Sequence, residues 1–109
     1  MKRETVFSGY YISQSGVKLE FKIEDAHIND KNYGKDYIVC FQNGAHSASI
    51  SKLNLDTYWI LKGKMFFISE SELEDLKENV IGKTGKWTIK DIEHNPVELP
   101  GYWTILYEE

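Results

Sequence analysis

The chain has 109 residues, of which 41% are apolar and 14% aromatic, and its formal net charge is −4. This length suits one domain with one core, and the composition excludes an intrinsically disordered chain. The acidic balance argues against a bulk nucleic-acid or anionic-membrane binder, and the single cysteine excludes an intrachain disulfide framework.

One domain is expected over residues 1–109, because the sequence contains no repeat, linker or low-complexity segment. No apolar run reaches the length of a signal peptide or of the ~20 residues that cross a bilayer. We therefore expect a cytoplasmic protein with no membrane contact.

The first predicted element is a β-hairpin. Residues 17–24 alternate apolar and charged side chains without a break, which is the period of a strand with one buried and one wet face. Residues 5–12 are rich in β-branched and aromatic side chains and predict the preceding strand. Residues 13–16, Ser-Gln-Ser-Gly, have the composition of the turn between them.

The middle of the chain predicts further strands. A polar loop is expected over 29–34, followed by a short central strand over 36–41 in which Cys40 is a small buried side chain. Asn43-Gly44 predicts a turn, and residues 46–53 alternate weakly. Residues 57–61 and 65–68 flank Lys62-Gly63-Lys64 and predict either a second hairpin or one long bent strand.

One short helix is predicted over about 69–81. Ser69 and Glu72 have the spacing of a capping box, and acidic residues crowd the first turns, where the helix dipole favours anions. Leu73, Leu76 and Val80 form one apolar stripe, and Gly82 fits the helix stop.

The segment after the helix predicts a strand over 86–92, a loop over 94–101 and a final strand over 102–107. The fold is predicted to be β-rich α+β, a small antiparallel barrel or curved sheet of about six or seven strands with one short helix. The element order is similar to that of the partly open barrel of oligonucleotide-binding domains, and the resemblance covers that order alone.

No motif predicts a catalytic residue, a cofactor or a metal. Cys40 and the three histidines (His27, His46 and His94) lack metal-ligand spacing, and His94 is expected in a solvated loop. Gly82-Lys83-Thr84 resembles the end of a P-loop, but it follows a helix and lacks the earlier glycine.

Aromatic and basic side chains supply the candidates for a binding surface. They are Tyr58, Lys62, Lys64, Lys86, Lys90, Tyr102 and Trp103. Aromatic rings in excess of the needs of a core favour protein contacts, and the predicted function is a non-enzymatic module of the inhibitor, immunity or accessory type found on bacterial mobile elements. A second copy of the chain is one possible partner. The alternatives are a single-stranded nucleic-acid binder, because stacking rings alternate with lysines, and an enzyme with an unmarked carboxylate site.

Overall fold

The computed structural model describes residues 3–32, 34–41 and 65–108. These residues form eight strands and one short helix. The strands are β1 (Glu4–Ser13), β2 (Lys18–Asp30), β3 (Gly34–Phe41), β4 (Phe66–Ser69), β5 (Thr84–Gly85), β6 (Thr88–Asp91), β7 (Pro96–Glu98) and β8 (Trp103–Tyr107). The helix α1 (Glu70–Asp75) continues as a π-helical segment over Leu76–Val80.

The strands form one antiparallel sheet in the order β5-β8-β1-β2-β3-β4-β6-β7. The sheet curves into a half-barrel, which confirms the predicted β-rich curved sheet with one short helix. The resemblance in element order to oligonucleotide-binding domains is not confirmed.

The predicted β1–β2 hairpin is confirmed. The Ser13 amide donates to the Val17 carbonyl over 3.0 Å, and Gly16 takes the left-handed conformation, with φ of 88°, that closes the turn. Strand β2 is longer than predicted, since it continues to Asp30 after a bulge between Glu24 and Ile28. The expected loop is therefore shorter than residues 29–34.

The side chains of the strands divide between two faces. We call the concave side the inner face, and it carries the core. Phe21 and Ile23 of β2 are almost fully buried there, as is Phe66 of β4. Gly9 lies among these rings, and a Cβ on it would stand 2.8 Å from both the Leu106 carbonyl oxygen and the Phe7 ring. The missing side chain at Gly9 therefore lets the rings pack closely.

The predicted capping box is present at the start of α1. The Glu72 amide donates to Ser69 Oγ over 3.3 Å, and the Ser69 amide donates to Glu72 Oε1 over 3.2 Å. Leu73 and Leu76 pack into the core, as their spacing predicted. Gly82, with φ of 86°, follows the last helical turn.

The structure corrects two predictions for the C-terminal strands. Strand β7 forms at Pro96–Glu98, inside the expected loop, at the sheet edge where a proline is tolerated. Strand β6 is shorter than predicted, because residues 86–87 link it to β5. The elements expected between residues 43 and 64 lie outside the described residues, as do Tyr58, Lys62 and Lys64.

Candidate binding cleft

A cleft of about 240 Å³ lies between the helical segment, β6 and the inner face of the sheet. The inner-face strands supply its floor, the helical segment supplies one wall, and residues 86–90 supply the other. Its lining residues are Tyr11, Phe21, Ile23, Val39, Phe67, Ile68, Glu72, Asp75, Leu76, Val80, Lys86, Trp87, Thr88, Ile89, Lys90 and Ile105. The cleft is slightly smaller than the ~300–1,000 Å³ typical of small-molecule sites.

The cleft opens where two neighbouring strands part. Strands β4 and β6 pair at Phe66–Asp91 and Phe67–Lys90, and the ladder ends there. The next residues in register would be Ile68 and Ile89, and both line the cleft instead. β4 remains paired with β3 through Ser69, where the cap of α1 begins. The cleft therefore forms on the side of β4 that has lost its β6 partner.

Two hydrogen bonds position Trp87 in the apolar part of the cleft. Trp87 forms one side, and its indole N–H donates to the Trp103 carbonyl over 2.7 Å. The Leu99 amide donates to the Trp87 carbonyl over 2.9 Å, which ties the same residue to the chain after β7. Burial raises the pKa of the Tyr11 phenol well above its usual range, so the floor carries no charge there at neutral pH.

A charged pair joins the two walls. Lys90 Nζ of β6 lies 3.2 Å from Glu72 Oε1 of α1. Burial opposes ionisation of Glu72, but hydrogen bonds from Ser69 and the Lys90 ammonium outweigh it and lower the pKa of the carboxyl group. Glu72 is therefore ionised at neutral pH, and its charge is largely matched by Lys90.

The exposed side of the helical segment is acidic. Glu70, Glu74, Asp75 and Glu78 are all exposed, and Lys77 is the one basic residue between positions 70 and 80. Asp75 belongs both to this acidic surface and to the lining of the cleft. A negative wall thus borders an apolar floor.

The structure separates the predicted surface residues. Lys86 and Lys90 line the cleft. Tyr102 is exposed, and the Lys86 ammonium lies 5.5 Å from the centre of its ring, so these two residues share one surface. The expectation that Trp103 is a surface residue is wrong. Trp103 is 4% exposed on the inner face, where its indole N–H donates to the Pro100 carbonyl over 2.8 Å.

Sequence reasoning missed most of the cleft. Trp87, Thr88, Ile89, Asp75 and Val80 all line the cleft, but the sequence predicts only a strand for the first three and a helix for the other two. The composition of residues 86–92 predicts a strand, but it does not show that the helix lies opposite that strand. No local signal reveals that β4 and β6 pair across the helix between them.

His94 is not the solvated loop residue that the sequence predicted. Its Nε2 lies 2.7 Å from Oδ2 of Asp36, a side chain that is almost fully buried, and its own side chain is 11% exposed. His94 has φ of 64°, in the left-handed region, within the β6–β7 connection. The contact therefore fastens this connection to β3, while Asp36 Oδ1 has no hydrogen-bond partner among the residues that the structure describes.

Cys40 is half-buried and donates its thiol to Glu24 Oε1 over 3.1 Å. Burial and the neighbouring Glu24 carboxylate raise the pKa of the Cys40 thiol to about 11. The thiolate is therefore scarce at neutral pH, and the environment does not activate a nucleophile.

Within residues 3–32, 34–41 and 65–108, no cluster of three or more His, Cys, Asp or Glu side chains is placed to hold a metal ion. The helices in the same ranges are all too short or too polar to cross a bilayer. No protein-family model, curated protein or solved structure matches the chain.

Proposed function

We propose that this protein is a non-enzymatic binding module whose cleft receives a bulky apolar side chain of a protein partner, presented on a basic segment. The observation that carries the proposal is the cleft itself, an apolar floor between an acidic helix and β6. An anchor side chain in a desolvated pocket is the usual source of affinity at protein interfaces.

The size of the cleft supports a side chain as the occupant. About 240 Å³ is room for one bulky apolar side chain, such as that of leucine, phenylalanine or tryptophan. The hydrogen bond from the Trp87 indole to the Trp103 carbonyl holds this wall in position before the partner arrives. Preorganisation lowers the entropic cost of binding.

Charge supports a basic partner. Glu72 is matched by Lys90, whereas Glu70, Glu74 and Glu78 remain exposed on the helical wall. Lysine or arginine residues beside the anchor would meet this acidic surface. Such rim contacts act mainly on the association rate and on specificity.

Selection from displayed random peptides tests the proposal. The wild-type protein should enrich peptides with one bulky apolar residue flanked by Lys or Arg. Thr88→Trp, at an exposed position in the lining, should fill the mouth of the cleft and abolish the enrichment. Thr5→Trp is the matched control, because Thr5 is an exposed strand residue outside the cleft, and it should leave the enrichment unchanged.

Two results would overturn the proposal: no enrichment from the wild-type protein, or peptides that bind Thr88→Trp as tightly as the wild type. A variant with altered charge tests the role of the acidic wall separately. Glu74→Lys with Glu78→Lys should weaken binding of the basic peptides and remove its sensitivity to salt, since the net charge of the helical wall is then neutralised.

A further inference from the structure

The outward side chains of β2 alternate in charge. We call the convex side of the sheet the outer face, and β2 presents Lys18, Glu20, Lys22 and Glu24 there, opposite the core residues of the same strand. Lys18 and Lys22 are exposed, and the two glutamates are partly exposed. Positive and negative side chains therefore alternate along the outer face of β2.

This pattern is complementary to itself. Consider a two-fold axis that lies in the plane of contact, runs perpendicular to the strands and crosses β2 at Phe21. This axis sets the β2 strands of two copies face to face and antiparallel. Lys18 then meets Glu24 of the second copy, and Glu20 meets Lys22 of the second copy. Each contact occurs twice because the symmetry is two-fold. A parallel arrangement would instead place like charges together.

The neighbouring strand β1 fits the same axis. Gly9 is paired with Phe21, so the axis crosses β1 at Gly9 and places Tyr10 opposite Ser8 of the second copy. The half-buried Tyr10 and Ile12, with Leu106 of β8 beside Tyr10, add an apolar stripe to the charged strand. The small Ser8 leaves room for the Tyr10 ring.

The ion pairs within one copy leave the charged side chains of β2 able to contact a second copy. Lys18 lies 3.4 Å from Glu20, and Arg3 lies 3.6 Å from Glu24. The basic side chain of each pair is exposed and the glutamate is partly exposed, and Glu24 also accepts from the Cys40 thiol. Lys22 makes no ion pair with the described residues. Exposed pairs of this kind contribute little on their own and exchange partners easily.

We propose that the outer face of β1 and β2 is the contact surface of a symmetric homodimer of this chain. The surface is on the opposite side of the sheet from the cleft, so the dimer would carry two open clefts. A contact dominated by charged pairs around a short apolar stripe belongs to the weak, reversible class of interfaces. The inference is independent of the proposed function, because neither face requires the other.

Sedimentation equilibrium over a concentration series tests the dimer. The wild type should show a reversible monomer–dimer equilibrium that weakens as salt is added. Lys22→Glu and Glu20→Lys should each weaken dimerisation by about tenfold or more, since each turns two attractive contacts into repulsive ones. The double variant Glu20→Lys/Lys22→Glu swaps the pair and should restore dimerisation to within about threefold of the wild type.

Lys31→Glu is the matched control. Lys31 is exposed in the β2–β3 turn, and the substitution changes the net charge by the same amount as Lys22→Glu. Dimerisation of this variant should equal that of the wild type, and circular dichroism should show that all variants fold. A wild type that is monomeric at millimolar concentration would overturn the proposal. So would a double variant no better than the single ones, or a Lys31→Glu variant as weak as Lys22→Glu.

Discussion

The inner and outer faces of β2 belong to the same strand and have opposite chemistry. Leu19, Phe21 and Ile23 are at most 5% exposed, whereas Lys18 and Lys22 between and beside them are exposed. The buried residues pack in the core, and Phe21 and Ile23 also line the cleft, whereas the exposed residues leave a charge pattern on the surface. Along β2 the parity of the residue number therefore decides whether a side chain packs into the core or faces solvent.

Substitution of adjacent residues gives the sharpest contrast between the faces. Phe21→Ala should lower the free energy of unfolding by about 3–5 kcal/mol, because it empties a fully buried position of the core. Lys22→Ala should change it by less than about 0.5 kcal/mol. Urea denaturation of both variants at low protein concentration measures the two effects. Similar losses of stability in both variants would contradict the division of β2 into a core face and a solvent face.

The close packing of the inner face is tested at Gly9. Gly9→Ala places a Cβ 2.8 Å from the Leu106 carbonyl oxygen and 3.1 Å from the Phe21 ring. The overlap should lower stability by about 1–3 kcal/mol. Gly85→Ala is the control, because its nearest neighbour would be the Trp87 ring at 3.5 Å, an ordinary contact. Thermal unfolding should find that variant close to the wild type, and an equal loss in both would contradict the packing argument.

The smallest of these effects concerns the charged pair at the cleft. Because the pKa of Glu72 is lowered in the folded state, its contribution is present above its ordinary pKa of 4.5 and is lost as pH falls through the folded value. Glu72→Gln keeps an oxygen that can accept from the Ser69 amide but removes the negative charge that faces Lys90, so it should lower the free energy of unfolding at pH 7 by about 0.5–1 kcal/mol. The gap between variant and wild type should narrow in acid.

Glu74→Gln serves as the control for that experiment. Glu74 is exposed on the same helix, and its substitution should cost less than about 0.5 kcal/mol. Urea denaturation at neutral pH and at pH values below 4.5 gives both comparisons. A Glu72→Gln variant whose deficit is the same at every pH would contradict the assignment of an ionised, hydrogen-bonded carboxylate.

Local signals in the sequence predicted the local elements. The alternation in residues 17–24 and the Ser69–Glu72 spacing gave the hairpin and the helix start, because each depends on residues a few positions apart. The sequence does not predict which of Tyr102 and Trp103 faces the core, because both residues are aromatic and an apolar–polar alternation does not separate them. The burial of Trp103 depends on its contacts with distant strands.

The cleft and the His94 contact depend on long-range pairing. Strand β6 joins the sheet next to β4, with the helix between them in sequence, and the gap follows from where their ladder stops. His94 reaches Asp36 across 58 positions of the chain. Sequence patterns of period two or three and a half contain no information on such partners, so these features could not be predicted.

The central claim is that the cleft binds an apolar side chain on a basic segment, and nuclear magnetic resonance tests it directly. A peptide with one tryptophan flanked by two lysines on each side would be titrated into isotopically labelled protein to millimolar concentration. We expect saturable changes in the chemical shifts of the Trp87 indole N–H and of the Val80, Ile89 and Ile105 methyl groups. The same peptide with alanine in place of tryptophan should leave them in place. Absence of shifts, or shifts confined to the outer face of β2, would contradict the account.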